Sequence, residues 1–132
     1  MSKQTVRGPF SVNLTPHQEA EGVGDPQTMR MSLDKQFHGA LEATSKGQML
    51  GVRSADGASG GYVAIERVVG SLDGRDGSFV LQHSSTMHAG EQSQSIIVVP
   101  GSGTDALTGL TGSMTIEIVD GDHFYVFEYE ID

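Results

Sequence analysis

Four ionisable side chains sit in runs whose alternate positions are otherwise apolar. His83 follows Phe79 and Leu81 at a spacing of two. His123 leads Tyr125, Phe127 and Tyr129. Lys35 interrupts Met29, Met31, Leu33 and Phe37, and Glu66 shares its parity with Tyr62, Ala64 and Val68. In an extended strand every second side chain points the same way. If the apolar parity is the inner one, a carboxylate, two imidazoles and an ammonium converge on one dry interior. An apolar cavity with a few convergent polar groups is what a small-molecule site requires. Burial raises the pKa of a carboxylate and lowers that of an imidazole, so the same set can equip an acid–base pair. The candidate ligand-binding residues are therefore Lys35, Tyr62, Glu66, His83, His123 and Tyr125. The competing reading is structural: the histidines are hydrogen-bonded core or strand-end residues, and Glu66 pairs with a neighbouring cation. For Glu66 parity does not decide, because Val63, Ile65 and Val69 make the opposite face of that run apolar as well.

Other constellations carry less chemistry. The five histidines are His17, His38, His83, His88 and His123, and no His-x-His or His-Glu-x-x-His pattern occurs among them. His83 and His88, five apart, face opposite sides of one strand, so the spacing points to no metal site and no cofactor. Gly57-Ala58-Ser59-Gly60-Gly61 matches a nucleophile elbow by letters, but an elbow needs a strand before and a helix after. Here a strand pattern follows, so the segment reads as a turn. Asp73 to Gly77 is too short for a calcium loop and lacks its later glutamate. Gly101-Ser102-Gly103 could present backbone N–H groups to an anion, but without a P-loop lysine it reads as a loop packed under the barrel mouth.

The elements that must position the candidates are strands. Phe10, Val12 and Leu14 alternate with Ser11 and Asn13, and Pro16 is expected to stop that strand. The polar stretch 17–27 reads as the longest loop. His38-Gly39 suits a tight turn, and Leu41 and Ala43 resume the alternation. Turn clusters at 54–61 and 73–77 bracket the run Tyr62 to Val69, and Phe79-Val80-Leu81 leaves the second as a hairpin partner. Thr104 to Leu107 suits one short helical turn. Met114, Ile116 and Ile118 precede the turn Asp120-Gly121-Asp122 and the last strand. About eight strands at short regular spacing predict an all-β sandwich or barrel. The long aromatic face of the last strand and the need to remove exposed sheet edges favour a closed antiparallel barrel. Eight strands enclose room for side chains or for one small ligand.

Composition bounds the rest. The 132 residues suit one domain spanning 1–132, and without cysteine there are no disulfides or thiolate metal sites. A net charge of −9 repels phosphate backbones and anionic lipid, so nucleic acid and membrane surfaces are poor partners. The first residues lack the apolar stretch of a signal peptide, and no segment is apolar enough for a spanning helix. A soluble cytoplasmic protein is the plain expectation.

Three segments together carry a family resemblance: Glu66-Arg67 with Gly70 to Gly74, then Gly77-Ser78-Phe79-Val80-Leu81-Gln82-His83, then Val98 through Gly112. Their order and spacing resemble a bacterial domain-of-unknown-function family of similar length. That family is similar in fold to allene oxide cyclase, which implies an eight-stranded antiparallel, calycin-like barrel from Gly8 to the last strand. It implies no reaction, since no cyclase motif is matched residue by residue. A glycine is associated with the family where Asp105 stands, which implies a relaxed backbone requirement or a gained helix cap.

Three functional readings follow. The first is a barrel holding a small, mostly apolar molecule in its interior. The second is a structural homo-oligomer without lumen function, built on outward Val63, Ile65, Ile97 and Val99. The third is an isomerase- or cyclase-like enzyme using Glu66 and His83.

Overall fold

Period-two alternation carries the whole chain into one sheet. The structure, a computed structural model, describes residues 3–18 and 22–132. Its strands are β1 (Gln4–His17), β2 (Met29–Phe37), β3 (Leu41–Arg53), β4 (Gly60–Leu72), β5 (Arg75–His88), β6 (Glu91–Val98), β7 (Leu110–Val119) and β8 (Asp122–Ile131). Each pairs antiparallel with its sequence neighbours, and β8 returns to β1, closing the expected eight-stranded barrel. The loop expected over 17–27 includes 19–21, which lie outside the described residues. Among the described residues no helix is long and apolar enough to cross a membrane.

Closure is staggered, as barrel geometry requires. β1 pairs with β8 through Gln4 to Phe10 and with β2 through Phe10 to His17. That stagger corrects the expectation at Pro16. The strand runs through it to His17, with Pro16 opposite Met31. Pro lacks an N–H, and beyond Phe10 the ladder to β8 has ended, so β1 needs no donor on that side. The weakest seam is β6–β7, where only Ile96–Met114 and Ile97–Ser113 are paired.

Two-residue turns connect several hairpins. Asp73-Gly74, Ala89-Gly90 and Asp120-Gly121 each place both residues at positive φ, which matches the right-handed twist of the flanking strands.

The two ends of the barrel differ. The base is packed solid by Phe37, Leu41, Leu72, Phe79, Leu81 and Phe127, with Phe79 stacked on Phe127 at 5.7 Å between ring centroids. The expected short helical turn is a 3-10 turn, Asp105–Leu107, and its buried Leu107 plugs this end. The segment before it is tied to β5: the Val80 N–H donates to Ser102 Oγ at 3.0 Å, and the Thr104 N–H to the Ser78 carbonyl at 2.9 Å. Asp105 adopts φ 52°, and its neighbour Thr104 caps the turn without a side-chain hydrogen bond. The backbone requirement for a left-handed residue therefore persists at Asp105, and no helix cap has been gained.

Candidate functional site

The inner faces of β2, β4 and β5 bring three of the candidates together at mid-barrel. Lys35, Glu66 and His83 have relative exposures of 6%, 0% and 3%. Lys35 Nζ lies 2.9 Å from Glu66 Oε2, and His83 Nε2 lies 3.0 Å from the same oxygen. These are close approaches rather than aligned hydrogen bonds. Both Glu66 oxygens and His83 Nε2 are closed off from solvent without a partner in hydrogen-bond geometry. Burial pushes the Glu66 carboxyl upward, but the His83 ring and the Lys35 ammonium outweigh it and hold it below the ordinary 4.5. Lys35 also stands over the rings of Phe10 and Phe37, 5.3 and 5.8 Å from their centroids, which favours the cation further.

The arrangement depends on small residues in β3, the strand between Lys35 and Glu66. Ser45 pairs with Lys35 and Gly47 with Glu66. A Cβ on Gly47 would overlap the Ile65 carbonyl oxygen and come within 2.7 Å of Glu66 Cα and Cβ. Glycine here lets the ammonium of β2 reach across β3 to the carboxylate of β4.

Above these three residues the barrel is hollow. A cavity of about 250 Å³ has a floor of Phe10, Leu33, Lys35, Ala64 and His83, and walls of Val12, Met49, Tyr62, Gln94, Ile116 and His123. A second compartment of about 270 Å³ continues towards the rim past Met29, Met31, Ser85 and Met87, and shares Leu14, Met49, Tyr62 and Gln92 with the first. Burial falls steadily along this path: the floor residues are buried, whereas Leu14, Met29 and Ile118 are exposed. The unpaired stretch of the β6–β7 seam borders the cavity, with Gln92 and Gln94 on one side and Ile116 and Ile118 on the other. Gln92 Nε2 donates to Ser85 Oγ at 3.1 Å, and Gln94 Nε2 approaches the Tyr62 hydroxyl at 3.4 Å.

Of the six sequence candidates, Lys35, Tyr62, His83 and His123 line this cavity, and Glu66 sits behind Lys35 and His83 rather than on the wall. Tyr125 does not belong to the site. Its hydroxyl donates to the His38 carbonyl at 2.7 Å and accepts the Leu41 N–H at 3.0 Å, so it clamps the β2–β3 turn at the base. Gly8 makes that possible, since a Cβ there would lie 2.6 Å from the Tyr125 hydroxyl. Met49, Gln92, Gln94 and Ser45 were not among the candidates. The parity of Met49 was legible as a continuation of Leu41 and Ala43, although Ser45 and Gly47 hide the pattern. The polar run of β6 carries no alternation that marks its inner side.

Chemically, the site offers a cation with spare donors, an imidazole beside a carboxylate, and apolar surface above them. Among the described residues no three His, Cys, Asp or Glu side chains converge as a metal site would need.

The sequence profile described as "Protein of unknown function (DUF3224)" matches residues 6–129. A crystal structure of a protein with unknown function from the DUF3224 family of Shewanella oneidensis MR-1 is 48% identical. The match covers 99% of this chain and 98% of that one, with a TM-score of 0.91. No curated protein matches. With the profile and a solved relative both spanning the barrel from β1 to β8, the chain belongs to the DUF3224 family.

Proposed function

We propose that the rim half of the barrel holds one small, mostly apolar molecule, with Lys35 and His83 as its polar contacts and Glu66 as the fixed counter-charge of Lys35. The observation that carries this reading is the asymmetry of the interior. The base is filled by aromatic and leucine side chains, whereas the other half keeps two joined compartments of about 250 and 270 Å³. Together they reach the size of ordinary ligand pockets. A void lined by methionine, leucine and isoleucine forfeits dispersion contacts until something fills it. Methionine suits a ligand of irregular shape because its unbranched chain adapts. Native mass spectrometry of freshly purified protein tests the reading. It predicts an adduct that disappears on denaturation. A clean apo mass, unchanged after incubation with short-chain alcohols and ketones, would overturn it.

Isomerase or cyclase chemistry with Glu66 as base fits less well. A base must reach its proton directly or through one water. Glu66 is fully buried behind Lys35 and His83, so its place suits it to positioning those two groups.

A second reading concerns the outer wall. Leu50, Val52, Val63, Ile65, Val69 and Ile97 are all at least 40% exposed on the outer faces of β3, β4 and β6. They present roughly 450 Å² of apolar area, well within the range of a typical monomer's largest patch and over half of one partner's share of a standard interface. Outward neighbours on β3 and β4 include Lys46, Arg67 and Glu42, and Lys46 pairs with Asp34 of β2 at 3.1 Å, so charges of both signs border the apolar strip. We infer that a second copy of the chain covers it. Light scattering at micromolar concentration should then give a dimeric mass that Ile65→Lys reduces to the monomer. A monomeric mass for the unaltered chain would refute this.

A further inference from the structure

The cavity wall is selective in sign. The sequence holds 17 Asp and Glu, yet among the described residues neither compartment is lined by a carboxylate. The one acidic side chain at this level, Glu66, is sealed behind the floor and already shared by Lys35 and His83. Resting on the reading that the cavity holds a ligand, we infer that this ligand is electrically neutral and presents one carbonyl oxygen to Lys35.

Three head-group chemistries compete, and the floor separates them. An ammonium head would meet Lys35 with no carboxylate on the wall to accept it, and an unpaired buried charge is expensive. A carboxylate head would have to share Lys35 with Glu66. Lys35 and Glu66 stand 2.9 Å apart and cancel, so the floor has little net charge to hold an anion, and two carboxylates around one ammonium repel each other strongly where water is scarce. A carbonyl oxygen brings no net charge and accepts hydrogen bonds through two lone pairs. The ammonium carries three N–H donors. Its nitrogen lies 2.9 Å from Glu66 Oε2, and the group otherwise faces the cavity and the rings of Phe10 and Phe37. Aromatic faces attract a cation but do not saturate its donors, so Lys35 keeps hydrogen-bonding capacity for a ligand acceptor. Above that point Met49, Ile116 and Leu14 offer apolar contact to the rest of the molecule, with the neutral polar groups of Tyr62 and Gln94 among them. The predicted ligand is therefore a ketone-, aldehyde- or lactone-like molecule seated head-down on Lys35 with its apolar body towards the rim.

Isothermal titration of the intact protein at neutral pH with methyl hexyl ketone, octanoate and octylamine tests this, because the three probes each carry eight carbons in an unbranched chain and differ in the head. The ketone should bind at least about fivefold more tightly than either charged probe. In the double variant Lys35→Met/Glu66→Gln, which removes both charges together and avoids stranding either one, that preference should vanish. Octanoate or octylamine binding as tightly as the ketone, or a ketone preference unchanged in the double variant, would overturn the head-group assignment while leaving the cavity reading intact. If none of the three probes binds, the proposed ligand-binding function fails as well.

Discussion

Glu66→Gln removes the negative charge between Lys35 and His83 while keeping the volume of the side chain. The structure sets the cost. Lys35 is almost fully buried and, among the described residues, its one close anionic partner is Glu66, so the substitution strands an ammonium. Breaking a buried ion pair from one side costs about 3–5 kcal/mol. Lys35 borders a cavity that water can enter, which places the loss near the lower end, about 3 kcal/mol. A domain of this size has a total stability of about 5–15 kcal/mol. The loss corresponds to a fall of about 10 °C in Tm. Urea denaturation followed by circular dichroism reads it directly. Lys35→Met/Glu66→Gln should recover at least half of the loss, because neither charge remains to be desolvated. The pH dependence supplies a second signature. The folded-state carboxyl of Glu66 is held below 4.5, so its contribution is present above the unfolded value and is lost as pH falls through the folded one. The Gln variant should lack that part of the acid transition. A single variant within about 1 kcal/mol of the unaltered protein, or a double variant no more stable than the single, would show that Glu66 does not hold Lys35 in place.

Three further outcomes follow from local geometry. Gly47→Ala should cost about 1–3 kcal/mol in the same denaturation assay, because the added methyl collides with the Ile65 carbonyl and with Glu66. Ala89→Asn should raise stability by about 0.5–1 kcal/mol, since Ala89 holds φ 51° in a two-residue turn where asparagine is tolerated far better; a fall in Tm would count against the turn geometry. Tyr129 is pushed up to about 12, by burial first and then by its hydrogen bond to Asp73. A phenol whose folded value lies above its ordinary 10 stabilises the fold below pH 10 and loses that contribution between pH 10 and 12. Phenolate absorbance should show a late-titrating tyrosine that Tyr129→Phe removes.

The barrel was legible because its inner faces alternate cleanly where they are apolar, as in Phe79–Leu81–His83 and Tyr125–Phe127–Tyr129. The same parity correctly placed Lys35 and His83 inside. It left Glu66 open, since β4 is apolar on both faces, and only closure against β3 and β5 decides which face is inner. It misjudged Pro16, because whether a proline disrupts a strand depends on which neighbour the strand has at that point, and stagger is a property of the closed sheet. It also placed Tyr125 in the lumen correctly but at the wrong height. Parity reports the side of the wall, not the distance from the rim, and the clamp to the β2–β3 turn is a contact across 84 to 87 residues of sequence. The close approach of β4 to Gly47 was invisible for a related reason: an absent side chain leaves no periodic signal.

One half of the barrel is hollow and the other a packed core, and the methionines report on both. Met29, Met31, Met49 and Met87 line the hollow compartments, whereas Met114 is buried in the packed cluster. Methyl NMR of the methionine-labelled protein, titrated with octanol, reads the two regions in one spectrum. Met31 and Met49 should show saturable shifts while Met114 stays unmoved. Cavity methyls that stay fixed at saturating probe, or a Met114 signal that moves as far as theirs, would contradict a ligand cavity confined to the hollow half.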